Sequence, residues 1–344
     1  MATAYITHED CAVHDMPGHP EHAGRIKQVW HELEAAGLLG KLHALKPIPA
    51  TDAQILAVHD NRYLELLDRL SGLQRAYRFD SDTYLLPESP EIARLAAGGV
   101  CTAVSAVLDD KVDNALAVVR PPGHHAVPDR AMGFCLLGNV AIAARHAQTL
   151  GKVERVMIVD YDVHHGNGTQ DMFYDDDSVL FVSTHQYPFY PGSGAINETG
   201  RGKGRGYTLN IPLGRGHGDG NYARIFAEII WPAARRFQPD LILVSAGFDA
   251  HWVDPLASMN LSLAGYDHLA REMIKMAEEL CGGRVVFLME GGYDLTALSH
   301  GMRNIAHALL GEDTLSDPLG TVDQREPDVD VLIERVRKMH QLGV

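Results

Sequence analysis

Two aspartates and two histidines fall within six positions in the stretch VDYDVHHGNG, residues 159–168. Carboxylate and imidazole are the donors that hold Zn²⁺ or a similar divalent ion. The stretch continues the apolar run RVMIV, and side chains along a strand alternate between faces. Asp160, Asp162 and His164 therefore share one face, while Tyr161, Val163 and His165 take the other. A catalytic zinc takes three protein ligands and keeps a further position open. This stretch supplies two, and Asp249 in SAGFDAHWVDP is the best third. RPPGHH adds a second constellation: Pro121, Pro122 and Gly123 make a rigid turn, followed by His124 and His125. A histidine pair beside a metal can take a proton from water and return one to a leaving amine. Each of these residues also has an ordinary alternative, as a helix-capping Asp or a hydrogen-bonded loop His. The whole set at one sheet edge does not.

Short apolar runs must position these residues. They lie at 114–119, 155–162, 179–185, 207–213, 241–249 and 284–292, and most read as buried parallel strands. Helical patterns at 139–149, 219–237, 263–280 and 295–310 separate several of them, which predicts an α/β fold with a parallel sheet. Ligands of such sheets bind beyond the carboxyl ends of the strands. RPPGHH, DYDVHHGNG, GFDAHWVDP and EGGYD all follow or close predicted strands.

Toward the N-terminus, Ile26, Val29, Trp30 and Leu33 have helical spacing, with Gly37 as the stop. Thr51 and Gln54 form a capping-box pattern. Ser89 reads as an N-cap before Pro90. The Gly-rich segment 191–206 has no phosphate-loop pattern at a strand–helix junction and reads as a loop. The expected organisation is one domain over 1–344, with the motifs in about 100–300. The polar segment after about 312 ends in a weak helix and reads as a surface appendage.

A net charge of −15 disfavours nucleic acid and anionic membranes as partners, and is compatible with a cationic substrate such as a lysine-rich chain or a polyamine. Four scattered cysteines form no C-x-x-C pair, so neither a disulfide framework nor a thiolate zinc site is expected. The N-terminal stretch lacks a signal-peptide pattern. No apolar run is expected to span a bilayer, and the expected location is the cytoplasm.

RPPGHHA, GFCLLGN, VDYDVHHGNGTQDMFY, SAGFDAHWVDPL and MEGGYD occur in that order. Together they resemble the zinc-dependent histone deacetylase superfamily, which includes the acetylpolyamine amidohydrolases. HHGNGTQ and EGGYD are closer to its class II branch. The resemblance implies a three-layer α/β/α arginase/deacetylase-like fold with a mainly parallel central sheet. It also implies a hydrolase that cleaves the amide of acylated lysine side chains.

Carried onto this chain, the resemblance makes Asp162, His164 and Asp249 the zinc ligands. His125 becomes general base and acid, with His124 as its electrostatic partner and Asp160 orienting His124. Asn167 stands where class I enzymes place a second carboxylate, so the proton affinity of His125 is expected to differ from theirs. Tyr293 would donate to the substrate carbonyl oxygen. Phe134 and Tyr190 would wall the substrate tunnel, with Phe189 as the alternative to Tyr190, and the Gly133 carbonyl would accept from the substrate amine. Leu256 stands where polyamine-specific members carry Glu, which favours acyl-lysine.

His19, Pro20, Glu21 and His22 would border the mouth, with Arg25 behind the floor. Asp254 and Glu290 are expected to be structural, and His165 to face away from the metal. The family also holds structural potassium. The inner site would use Asp160, Asp162, His164, Ser183 and Thr184; the outer would use the carbonyls of Phe173, Asp176 and Val179. Three alternatives stand beside this reading. They are an acetylpolyamine deacetylase, a two-metal arginase-like ureohydrolase (disfavoured by Gly247 and Phe248, where it would want another acid) and a silent binding scaffold.

Overall fold

The computed structural model describes residues 2–73 and 75–343. Its strands are β1 (Thr3–Ile6), β2 (His43–Leu45), β3 (Tyr77–Arg78), β4 (Tyr84–Leu85), β5 (Asn114–Ala117), β6 (Val156–Asp160), β7 (Val179–Gln186), β8 (Thr208–Leu213), β9 (Leu241–Ala246) and β10 (Val285–Met289). Eight of them form one sheet in the order β2-β1-β5-β10-β9-β6-β7-β8, with every pairing parallel. β3 and β4 make a separate antiparallel pair. Strand alternation divides the core. In β6, Met157 and Val159 face one apolar cluster, while Val156 and Ile158 face the other. Helices Gly24–Ala35, Leu263–Cys281 and Leu295–Leu309 cover the first face; Ser89–Leu108 and Asn139–Thr149 cover the second. The result is the three-layer α/β/α arrangement.

The six predicted strands are all present. β1 and β2 went unread because four and three residues are too few to show a period. Among the strands that stop sooner than their apolar runs suggested are β6 at Asp160, β9 at Ala246 and β10 at Met289. The polar ends leave the sheet there and become the loops that carry the donors. Parallel register sets those ends side by side, with Asp160 opposite Ser245 and Ala246 opposite Met289.

Several expectations need correction. Ser89 is not an N-cap but the first residue of its helix, where its Oγ accepts from the Leu86 N–H and bonds His14 Nδ1 at 2.6 Å. That helix, Ser89–Leu108, is long and apolar enough to cross a membrane by length and composition, contrary to expectation; most of it is buried inside the protein. The Thr51 capping box forms, but its helix is only Asp52–Ile55. The helix expected over 219–237 contains a π turn, Phe226–Ile230, just before Trp231–Phe237. Pro232 has no N–H to return to the preceding turn, so the ladder shifts there. The segment after 312 is no mere appendage: Val329, Ile333 and Val336 join the core. The Glu326 carboxylate accepts the Gly218, Gly220 and Asn221 N–H groups, at the start of helix Asp219–Ile225.

One buried ion cluster ties the N-terminal loop to the sheet. Glu21, Arg25 and Arg120 are all fully buried. Arg25 Nη1 donates to Glu21 at 3.0 Å, and Arg120 donates to it through Nε and Nη2. Arg120 also donates to the carbonyls of Cys11 and His14. Burial by itself raises the Glu21 pKa, but Arg120 and then Arg25 outweigh it and hold the carboxyl at about 2. Removing that charge leaves two buried guanidiniums uncompensated. Glu21→Gln is expected to cost roughly 3–5 kcal/mol in urea unfolding. Because the folded pKa lies below the ordinary 4.5, the contribution is complete above that value and is lost as pH falls toward about 2. The variant should show a flatter stability–pH curve across that window; an unchanged curve would contradict the assignment.

Candidate active site

Asp162 and His164 lie just beyond the end of β6, and Asp249 lies just beyond β9, its neighbour in the sheet. Their ligand atoms all lie within 4.8 Å of one another. His164 Nδ1 is 3.2 Å from Asp162 Oδ1 and 3.1 Å from Asp249 Oδ2. Two buried carboxylates and an imidazole converging this closely are a donor set suited to zinc. The backbone holds the carboxylates in place: Gly291 N–H donates to Asp162 Oδ2 at 2.8 Å, and Val163 N–H to Asp249 Oδ1 at 2.9 Å. This approach requires glycine. A Cβ on Gly291 would sit 2.3 Å from Asp249 Oδ2, and one on Gly247 would sit 2.2 Å from Asp162 Oδ2. There is thus no room at 247 for the bridging acid of a two-metal site. Phe248 is buried in the core against Tyr161 and Tyr266.

The histidine doublet stands beside this cluster. His124 Nδ1 meets Asp160 Oδ2 at 3.0 Å, and His125 Nδ1 meets Asn167 Oδ1 at 2.8 Å. Their rings are 4.0 Å apart, yet their electrostatics diverge. Burial works against charge on both. For His124, Asp162 and Asp160 outweigh burial and hold the ring well above its ordinary value. For His125, burial comes first, then His124 and His164, and together they push the ring well below it. One ring is held toward its cation, while the other is neutral with a nitrogen free to accept a proton. A carboxylate in place of Asn167 would have pulled His125 the other way.

Tyr293 closes the opposite wall. Its ring packs edge-on against Phe134 at 5.9 Å, and the Arg25 guanidinium lies over it at 5.0 Å. Arg25 Nε also donates to the Gly292 carbonyl at 2.8 Å. The Tyr293 N–H donates to Asp254 Oδ2 at 2.7 Å, and the same carboxylate accepts from Leu256 N–H through Oδ1 at 2.9 Å. Asp254 therefore clamps the Tyr293 loop to the rim that carries Leu256. Burial and then Asp249 raise its pKa to about 7. The Tyr293 hydroxyl has no hydrogen-bond partner among the described residues.

These groups surround a cavity of about 310 Å³, whose lining includes His125, His164, Gly133, Phe134, Leu256 and Tyr293. Phe189 and Tyr190 both line it, so neither replaces the other. Phe189 stacks on His164 with centroids 5.5 Å apart, and Tyr190 meets His125 edge-on at 5.1 Å. His22 does not line it; its ring folds back to accept the Gly24 N–H at 3.0 Å, and Pro20 takes the position at the mouth. Asp82 lines the mouth as well, unread in the sequence because a loop acid carries no periodic signal. His165 faces away, bonded to Ser193 Oγ and Gln170 Oε1. Ser183 Oγ bonds His185 Nδ1 at 2.9 Å, and Thr184 Oγ1 is buried with no partner among the described residues. Phe173 and Val179 are buried, and the Asp176 carboxylate pairs with Arg145 at 2.5 Å.

Sequence reasoning missed how Glu290 and Cys135 work. Glu290 accepts the Gly123 and His124 N–H groups at 2.8 and 3.3 Å, fixing the turn that presents the doublet. Burial raises it to about 7 against the opposing pull of His124. Cys135 Sγ accepts the His125 N–H at 3.4 Å. The signal for Glu290 was available: an acid ending a strand run at the same edge as Asp160.

A profile of the histone deacetylase domain matches residues 19–309. The chain belongs to the histone deacetylase family. It is 42% identical to histone deacetylase 14, chloroplastic, of Arabidopsis thaliana, over 96% of this chain and 82% of that one. It is also 42% identical to a probable deacetylase of Archaeoglobus fulgidus, over 91% of this chain and 88% of that one. The crystal structure of the HDA15 HD domain superposes with a TM-score of 0.89 at 36% identity, covering 99% of this chain and 94% of that one. This histone deacetylase family member is a hydrolase of acetylated amides, from a family that is zinc-dependent.

Two substitutions separate holding metal from positioning Tyr293. Gly291→Ala is expected to lower the zinc content of purified protein, read by elemental analysis, while circular dichroism stays native. Asp254→Ala is expected to leave zinc content intact and lower deacetylation kcat by up to about 10²-fold, through a displaced Tyr293. Equal zinc loss in both variants would refute the distinction.

Proposed function

We propose that this protein deacylates lysine side chains, with Asp162, His164 and Asp249 holding one zinc ion. The observation that carries the reading is the single cavity in which His125, His164 and Tyr293 meet beneath a wall of Phe134, Phe189 and Tyr190. Zinc bound there would polarise the amide carbonyl and acidify water beside it. The chain's own groups do the rest. His125, neutral and oriented by Asn167, accepts the proton from water and returns one to the departing lysine amine. His124, held toward its cation by Asp160 and Asp162, lowers the proton affinity of His125. The Tyr293 hydroxyl donates to the carbonyl oxygen as negative charge develops on it.

The aromatic wall excludes water from the acyl-lysine methylenes. The Gly133 carbonyl accepts from the substrate amide N–H. Leu256 stands at the rim where polyamine-specific members carry Glu, which favours acylated lysine in a peptide, and Asp82 is the one carboxylate lining the mouth among the described residues. The inner potassium site is proposed on the partnerless buried Thr184 Oγ1 beside Ser183, with Asp160, Asp162 and His164 supplying further oxygens. The outer site is proposed at the Phe173, Asp176 and Val179 carbonyls.

The test is a panel of zinc-loaded protein against acetyl-lysine peptides, longer acyl-lysine peptides and N-acetylated diamines. Acetyl-lysine peptides are expected to be the better substrates; a strong preference for the diamines would overturn the reading of Leu256. Tyr293→Phe should cut kcat by about 10²–10³-fold with zinc content unchanged. Chelation should abolish turnover and zinc should restore it.

A further inference from the structure

A second, larger cavity, of about 900 Å³, lies at the amino ends of the strands, the sheet edge opposite the catalytic cavity. Arg155 stands one residue before β6, Tyr207 one before β8, and Phe237 closes the helix that leads to β9. The Gly-rich loop closes one side with Arg205, and the C-terminal segment closes another with His340. Neither segment has a part in the chemistry above.

The lining is unusual for this chain. Its charged groups are Arg155, Arg205 and Arg236 against Asp177, in a protein with 45 acidic residues to 30 Lys and Arg. Arg155 is partly engaged, donating to the Gln238 carbonyl at 2.6 Å and lying 3.5 Å from Asp240. Arg236 donates to the His340 carbonyl. The Arg205 side chain has no ion pair or hydrogen bond among the described residues.

The second observation is independent of charge. Beside these groups Tyr207 and Phe237 form an aromatic wall, with centroids 5.9 Å apart.

We propose that this cavity is a second ligand site, for a phosphorylated small molecule that carries a planar ring. A nucleoside diphosphate is the simplest such ligand. Guanidinium forks match phosphate oxygens, and the aromatic wall takes the ring. The volume falls within the range of about 300–1,000 Å³ typical of small-molecule sites.

Titration calorimetry on the zinc-loaded full chain tests this, with ADP, pyrophosphate and adenosine as probes. ADP should bind one per chain, pyrophosphate more weakly, and adenosine without measurable heat. Arg205→Glu should weaken ADP by roughly tenfold or more while leaving deacetylation unchanged, since Arg205 lies at the other sheet edge. Tyr207→Ala should weaken ADP but not pyrophosphate. Absent ADP binding, or ADP binding indifferent to Arg205→Glu, would overturn the site. Pyrophosphate binding as tightly as ADP would overturn the ring-binding wall, and adenosine binding as tightly would overturn phosphate recognition.

Discussion

Asp160, Asp162, Asp249 and Glu290 are fully buried where three adjacent strands end. Four carboxylates taken out of water cost far more than packing returns unless each finds donors or cations. The compensation is spread over the whole chain. Gly291 N–H serves Asp162, Val163 N–H serves Asp249, and Gly123 N–H serves Glu290. His124 serves Asp160, and His164 lies between Asp162 and Asp249. The donors belong to the loops that leave the ends of β5, β6 and β10, so the path of each of those loops is constrained by a charge it must answer. The same crowding makes the site an attractive place for a divalent cation.

This constraint explains why the two histidines of the doublet differ in their electrostatics although they are neighbours in sequence. His124 is oriented by a charged partner and His125 by a neutral amide. The doublet divides into a held cation and an available base because one turn presents the two rings to different environments. Glu290 and Cys135 secure that turn from behind. A parallel logic fixes Tyr293, whose loop is held from one side by Arg25 and from the other by Asp254. Arg25 in turn is balanced by Glu21 and shares it with Arg120. The tyrosine's position therefore depends on an ion cluster rooted in the N-terminal loop.

Much of this was legible in advance. Strands of five or more apolar residues announce themselves, and the residues that follow β6, β9 and β10 were read as one site because ligand-type side chains rarely gather at one sheet edge without purpose. What stayed hidden was short, local or relational. β1 and β2 are too brief to carry a period. Pro20 lines the mouth as expected but His22 does not, because a ring two residues before a helix start can turn back to its backbone. Ser89 looked like a cap by type, but it sits inside the helix and holds His14. The C-terminal segment reads as polar from its composition, yet four spaced apolar residues, Val329, Ile333, Val336 and Leu342, suffice to seat it.

The sequence by itself determined the order of the longer strands, the parallel sheet and the candidate metal donors, because these follow from periodicity and residue chemistry. The tertiary structure alone decided which partner each buried charge would have. Burial, proximity and hydrogen bonding set that outcome, and they depend on distances between residues up to 267 positions apart, such as Arg25 and Gly292. No window of sequence contains such a distance, so the opposite electrostatics of His124 and His125 and the clamp on the Tyr293 loop had to await the fold.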